Sequence, residues 1–280
     1  SSDFKPVFCD VERETLNIDP SKIEEKITDK TKAIMAVNTM GRPCDMKSII
    51  DIAKKYDLLV IEDACESHGA KYQGQYIGTI VDISCFSFYV AHLICCGEGG
   101  MVSTNREDLY NSVFSTRCHG RSGFYFDHPI YGLNSKMNDL EASLGLEAVE
   151  VFWDTFNKRY KYMKQMRGAC EGFENLAYFS EEDEGNVNCP HGFSITLKEP
   201  NKIEIFTNYL EERGIHWKRN FGSIPTQHGA FSYLNHKLGE FPESEHIGDN
   251  GFHIGVHQHL TSEDVEYVCE SLIEGFKKVS

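Results

Sequence analysis

The sequence has no uninterrupted apolar run of the roughly 18 residues that a membrane helix needs, and its first residues have neither a basic start nor an apolar signal core. Neither a membrane span nor a secretion signal is predicted, so a cytoplasmic location is the expectation. Basic residues are also scarce, with 28 Lys and Arg against 43 Asp and Glu and a formal net charge of −15. This charge repels a phosphate backbone, and no nucleic-acid partner is predicted.

Cysteine pairs with CxxC spacing are absent, although the chain has ten cysteines. The closest pair, Cys95 and Cys96, is adjacent, which does not suit a metal clamp. At 280 residues with 40% hydrophobic content, the chain is long enough to bury one large core and a smaller one. The thiols are therefore predicted to be mostly buried and reduced, without a metal. The chain begins on a strand-like segment without a Met, which predicts that an N-terminal part precedes Ser1.

Short apolar runs alternate with amphipathic stretches over the first 116 residues, a pattern typical of parallel strands joined by helical crossovers. The strands are predicted at residues 6–11, 33–37, 58–62, 83–88 and 101–104. The helices between them are predicted at residues 20–27, 45–56 and 107–116. This predicts the α/β class, with a mostly parallel sheet and helices on both faces.

A long helix is predicted at residues 137–166, where the chain leaves the sheet. Beyond it, strands at residues 192–197, 215–219 and 252–256 mix with a helix at residues 203–213 and a final helix capped by Thr261. The prediction is a large domain over residues 1–155 and a small C-terminal α+β domain over residues 156–280.

Three features of the first domain indicate chemistry. Asp63 ends a buried strand, where parallel sheets bind ligands. Ser87 lies in the next strand with a hydroxyl suited to a phosphate, and His92 follows it shortly before the glycine-rich segment GEGG at residues 97–100. Each feature alone is weak, since an Asp after a strand is as often a loop cap and a single His is more often structural.

Taken in order, these residues resemble the DegT/StrS type of sugar aminotransferase, a family built on the aspartate-aminotransferase fold (fold type I) with the cofactor pyridoxal phosphate (PLP). The resemblance extends over nearly the whole chain. Its motifs lie at residues 6–28, 31–46, 60–70, 86–105, 132–146 and 250–257.

By position in these motifs, the resemblance implies that Asp63 faces the pyridine nitrogen and keeps it protonated, so that the ring can accept electrons. It also implies that Glu66 lies near the ring hydroxyl and that Ser87 holds the phosphate. Asn134 would reach the phosphate of a neighbouring subunit, which implies a homodimer with shared active sites. The family's other phosphate loop and its ring-stacking residue would lie upstream of Ser1.

The main departure from the family is His92, which lies five residues after Ser87, where relatives have the lysine that bonds to the cofactor aldehyde. An imidazole cannot form that bond, but it can move protons near neutral pH. This change resembles the nucleotide-sugar 3-dehydratases, which use the aminated cofactor PMP on 4-keto-6-deoxy sugars. The resemblance implies that His92 is the acid/base that removes a cofactor proton while the C3 hydroxyl leaves.

Several alternatives remain open. The chain could be a true aminotransferase that uses another lysine, such as Lys71 or Lys136, or a non-catalytic subunit that binds a ligand or partner. One dehydratase branch holds an iron-sulfur cluster on four cysteines, but Cys65 and Cys118 lack enough neighbours for this, so no cluster is predicted. The histidines at positions 253, 257 and 259 are interpreted as structural or substrate-side residues and not as metal ligands.

Overall fold

The computed structural model of the chain describes residues 4–122 and 127–280. Its first sheet has the strand order β1-β2-β5-β6, in which β1, β2 and β5 are parallel and β6 is antiparallel to β5. The four strands are β1 (Ala33–Val37), β2 (Leu59–Asp63), β5 (Ile83–Ser87) and β6 (Gly100–Ser103). A short hairpin, β3 (Lys71–Tyr72) and β4 (Gln75–Tyr76), lies between β2 and β5 in the chain. The predicted α/β class with a mostly parallel sheet is confirmed.

One face of this sheet is covered by α1 (Met46–Lys55), which the Asp45 side chain caps by accepting from Ser48 N. The side chains of β1 alternate between the two faces, so that Ile34 and Ala36 are buried on the α1 side while Met35 is 56% exposed on the other. On that second face, α2 (Glu107–Arg117) leaves a cavity of about 810 Å³ against β5 and β6. The sheet is therefore packed more closely against α1 than against α2.

The second half of the chain forms an antiparallel sheet with the order β7-β8-β10-β9. Its strands are β7 (Ala177–Phe179), β8 (Gly192–Leu197), β9 (Trp217–Arg219) and β10 (Gly251–Gly255). The helices of this half are α5 (Ile203–Glu212), α6 (Pro242–Asn250) and α7 (Ser262–Val279). Phe206, Phe252 and Phe276 are fully buried in its core, with the Phe206 and Phe276 rings 4.8 Å apart edge to face. A smaller α+β unit is present, as predicted.

The predicted long helix is two helices, α3 (Asp139–Glu150) and α4 (Phe152–Ala169), because Val151 leaves helical geometry with φ −97° and ψ 8°. In α4, Phe152 and Phe156 pack in the core of the first sheet, whereas Tyr162 and Met166 pack in the core of the second. The predicted boundary after residue 155 falls within α4 and stays a prediction. Within the described ranges, no helix is both long and apolar enough to cross a membrane.

The N-terminal segment differs most from its predictions. Residues 6–11 form no strand beyond one bridge between Val11 and Ile18, and residues 20–27 form two short 3-10 turns, Pro20–Lys22 and Glu24–Lys26. The reason is a distant contact, since the buried Asp10 carboxylate accepts from the backbone N–H groups of Glu243 and Ser244 at the start of α6. The segment therefore binds as a cap on α6 instead of joining the sheet.

Replacing Asp10 with Ala is expected to lower the free energy of unfolding by about 2 kcal/mol at pH 7, because it leaves helix N–H groups buried without an acceptor. Burial alone would raise the pKa of Asp10, but the hydrogen bonds from Ser244, Val11 and Glu243 outweigh it and lower the pKa. The stabilisation from Asp10 is therefore complete above the pKa of this residue in the unfolded chain, about 4, and is lost as pH falls through its lower pKa in the folded protein. Urea unfolding at pH 7 and pH 3 measures this.

The matched control is Asp29→Ala, because Asp29 is an exposed turn residue. Its substitution should leave the unfolding midpoint unchanged at both pH values. If Asp10→Ala is as stable as the parent chain at pH 7, the capping role is wrong.

Candidate active site

The candidate site lies at the carboxyl ends of the parallel strands. Asp63 is the last residue of β2 and Ser87 is the last residue of β5. Because β2 and β5 are parallel and paired, these ends meet at one edge of the sheet. Two residues that the sequence places 24 positions apart are therefore brought to the same place.

Glu62 fixes this edge from inside the protein. Its fully buried carboxylate accepts hydrogen bonds from Asn38 Nδ2 at 2.9 Å, Gly78 N at 2.9 Å and Ser84 Oγ at 2.6 Å. These bonds connect β2 to the residue after β1, to the segment before β5 and to β5 itself. Since side chains alternate along a strand, Asp63 is directed to the opposite face, where Cys65 N donates to its Oδ1 at 3.0 Å.

His92 lies in the loop after β5, half-buried, in a group of aromatic rings. Its ring centroid is 5.3 Å from that of His191, 5.7 Å from that of His68 and 6.3 Å from that of Tyr89. Its Nδ1 is buried without a hydrogen-bond partner among the described residues. Burial lowers the pKa of His92, while the Asp63 carboxylate acts in the opposite direction. His92 is therefore mainly neutral at neutral pH and able to accept a proton.

His68 is a functional candidate that the sequence prediction missed. It lies five residues after Asp63, is 3% exposed, and its Nδ1 accepts from Ile94 N at 3.3 Å. Burial and the nearby His92 lower the pKa of His68 to about 4, so it is neutral. The sequence could have indicated His68, because it lies in the same motif, residues 60–70, as Asp63.

His191 is the second missed residue, and it comes from the other half of the chain. It lies just before β8, and its Nε2 is 3.5 Å from Oε1 of Glu66, whose Oε2 accepts from Met40 N at 2.6 Å. Burial and the nearby His92 lower the pKa of His191 to about 3. Burial raises the pKa of Glu66, and the Asp63 carboxylate raises it further. No sequence spacing signals this contact, because it depends on how the two sheets pack.

Ser87 and the glycine-rich segment lie on either side of His92 in the chain. The Ser87 hydroxyl accepts from Tyr89 N at 3.2 Å, which leaves its own proton free for another acceptor. In the glycine-rich segment, Gly97 has φ +88°, and a Cβ on Gly100 would approach Phe86 O to 2.8 Å. These glycines are thus required for the turn and for the pairing of β6 with β5, whatever ligand lies nearby.

Asn134 and the two alternative lysines contact groups other than the rings around His92. Asn134 Oδ1 accepts from Lys136 Nζ at 2.5 Å, and Lys136 also lies 3.2 Å from His119 Nε2. Lys71 Nζ lies over the Tyr76 ring, 4.5 Å from its centroid. The ammonium groups of both lysines therefore have partners elsewhere. The expected contact of Asn134 with a neighbouring subunit stays a prediction.

The remaining cysteines and histidines give no metal centre in the part of the chain that the structure describes, where no three His, Cys, Asp or Glu residues are placed to hold an ion. Burial raises the pKa of Cys65 to about 12, so it is a protonated thiol. His253 lies on β10 with Nδ1 3.3 Å from Asn220 Oδ1, and burial lowers its pKa to about 4.

Comparison with known proteins assigns this arrangement to a family. The model of the DegT/DnrJ/EryC1/StrS aminotransferase family matches residues 1–273. Among curated relatives, the chain is 33% identical over 270 residues to the GDP-perosamine synthase of Escherichia coli O157:H7, a match that covers 96% of this chain and 72% of the relative. It is 30% identical over 310 residues to the dTDP-4-dehydro-2,6-dideoxy-D-glucose 3-dehydratase of Saccharopolyspora spinosa, which covers 98% and 66%.

A solved structure agrees with these relatives. The aminotransferase from Psychrobacter cryohalolentis superposes with a TM-score of 0.89 at 27% identity, covering 97% of this chain and 75% of that one. The relatives that this chain resembles thus include proteins named for amine formation and a protein named for loss of a hydroxyl group.

Proposed function

Because the chain belongs to the DegT/DnrJ/EryC1/StrS aminotransferase family, we propose that it is a nucleotide-sugar 3-dehydratase in which His92 is the catalytic acid/base. The observation that carries the proposal is the position of His92, held within ring contact of His68 and His191 and in the field of Asp63. The substrate class is a nucleotide-linked 4-keto-6-deoxy sugar. The name of the Saccharopolyspora spinosa relative supports both the reaction and the class.

The cofactor is pyridoxal phosphate or its aminated form PMP, as in the family. When bound, this group supplies an electron-accepting ring for the chemistry at the sugar. The residues present fit such a group. A carboxylate, a hydroxyl with a free proton and a neutral imidazole lie near one sheet edge. Asp63 would hold the pyridine nitrogen, Glu66 the ring hydroxyl and Ser87 the phosphate.

The roles of the chain's own residues follow from this placement. His92 accepts a proton at a ring nitrogen and returns it to the departing hydroxyl, which suits a group that is neutral at pH 7. Asp63 would hold the protonated pyridine nitrogen of the cofactor through its negative charge. Asn134 acts on the site of a partner subunit, so the working form is proposed to be a homodimer.

The first alternative is a nucleotide-sugar aminotransferase, which the name of the GDP-perosamine synthase relative favours. It requires a lysine at the cofactor, whereas Lys71 and Lys136 have other partners. The second alternative, a non-catalytic ligand-binding or partner subunit, is disfavoured because Asp63, Ser87, the GEGG segment and Asn134 would have little reason to persist together without the cofactor.

Product analysis separates these functions. The chain is incubated with PLP, L-glutamate and a GDP-linked 4-keto-6-deoxy hexose, and the sugar is analysed by mass spectrometry. We expect a product that has lost the C3 oxygen and gained no nitrogen, with no lysine adduct after borohydride reduction. An aminated sugar together with a reduced lysine adduct would establish the aminotransferase, and an unchanged absorbance spectrum on adding PLP would establish the non-catalytic subunit.

A further inference from the structure

The two nitrogens of His92 differ in environment. Nδ1 is buried without a partner, whereas Nε2 is not enclosed among the described residues and has no hydrogen bond there. Buried polar atoms are almost always hydrogen-bonded, so Nδ1 requires a neighbour that can either accept its proton or donate to it. Which of these occurs decides whether Nε2 has a lone pair or a proton.

His191 can supply an acceptor. Its Nε2 is 3.5 Å from the Glu66 carboxylate, an acceptor, so the neutral imidazole carries its proton on Nε2. Its Nδ1 then has a lone pair, and this buried atom has no hydrogen bond to His92 or to any other described residue. The His191 ring is the nearest of the three rings to His92, at 5.3 Å between centroids.

His68 would have the opposite effect. Ile94 N donates to its Nδ1, so neutral His68 has its proton on Nε2 and can only donate from that atom. The Ser87 carbonyl is close enough to raise the pKa of His68, although it lies outside hydrogen-bond geometry. The His68 donor thus has a carbonyl beside it, and its ring is farther from His92, at 5.7 Å.

We propose that His191, anchored by Glu66, is a positioning residue that accepts the Nδ1 proton of His92 and so keeps the lone pair on Nε2. This rests on the proposed function of His92 as the base. It adds a Glu66–His191–His92 chain in which a carboxylate orients one imidazole and that imidazole orients the next, the principle by which an acid sets the tautomer of a catalytic histidine in hydrolases.

The other titratable groups around Glu66, His191 and His92 leave the two imidazoles neutral. Asp63 at the end of β2 raises the pKa of His92, while Arg159 on α4 and His253 on β10 join His68 in lowering the pKa of His191. A positive charge on His191 is therefore disfavoured. Its Nδ1 remains an acceptor across the pH range in which His92 is neutral.

The tautomer of His92 is measured directly by nitrogen-15 NMR of the full chain labelled at histidine, at pH 8, without cofactor. The His92 signals are assigned as those missing from His92→Asn. We expect the Nδ1–H form to dominate, although a free histidine in water favours Nε2–H. In His191→Phe, the ratio of Nε2–H to Nδ1–H should rise about fivefold, the change that one hydrogen bond of ordinary net strength sustains.

His191→Gln keeps a side-chain acceptor and should retain part of the Nδ1–H form, whereas His216→Asn changes an exposed histidine and should alter nothing. Circular dichroism confirms that each variant is folded. A dominant Nε2–H form in the parent chain, or a ratio unaffected by His191→Phe, would overturn the proposal. Since the measurement needs no turnover, an Nδ1–H tautomer in a chain that fails to dehydrate the sugar would disprove the proposed function alone.

Discussion

His92→Asn is expected to lower kcat for sugar dehydration by about 10² to 10⁴, the contribution usual for a general acid/base. Asn approximates the shape of the imidazole near Cβ but accepts no proton at any working pH. Nothing in the proposed cofactor contacts uses His92, so the affinity for PMP, measured by absorbance or fluorescence titration, should change less than about threefold. The combination of lost turnover and retained binding is the diagnostic result.

The control for this variant is His216→Asn, which removes an exposed histidine and should leave kcat unchanged. In the parent chain, kcat/KM should fall as pH falls through the pKa of His92, which burial places below its usual value near ~6.5. Dehydration by His92→Asn at more than a tenth of the parent rate would exclude His92 as the acid/base.

The strands that hold the site were predictable because their hydrophobic patterns are local. The segments that became β1, β2, β5 and β6 agree with their predictions within a residue or two at each end. Each is a short apolar run followed by a turn or a polar group, and the helix before β2 begins at the Asp45 cap. Asp63 and Ser87 could be placed at one edge for the same reason.

The errors in the fold prediction arise where distant contacts override local preference. The segment at residues 6–11 has strand-like residues, but Asp10 is held by backbone groups more than 230 positions away. The break at Val151 separates two sequences that both favour helix. After this break, Phe152 and Phe156 of α4 pack in the core of the first sheet, whereas Leu140, Leu144 and Leu146 of α3 are exposed.

The site itself was predicted only in part. His92 was predicted as a site residue because it stands in a recognisable motif, but His191 is in the other half of the chain and follows Cys189 and Pro190 without any motif of its own. Its contact with Glu66 and His92 exists only when β8 packs beside the first sheet. Glu66 was predicted as a cofactor residue, while its pairing with an imidazole needed the structure.

Asp63→Asn is expected to weaken PMP binding and to lower kcat by about 10² to 10³, because a neutral amide cannot stabilise a protonated ring nitrogen. It should also change the pH profile in a defined direction. The Asp63 carboxylate raises the pKa of His92, so its removal lets burial lower that pKa further. The pH at which activity is lost on the acidic side should therefore move to a lower value, while the maximal rate falls.

These two effects are measured together as kcat/KM against pH from 5 to 9, with the nitrogen-15 titration of His92 as a readout that needs no substrate. Asp108→Asn, which changes an exposed carboxylate on α2, is the matched control and should leave both unchanged. A His92 pKa that rises or stays constant in Asp63→Asn would mean that the carboxylate does not face the imidazole. A loss of rate without that change in the His92 pKa would mean that Asp63 acts only on the cofactor ring.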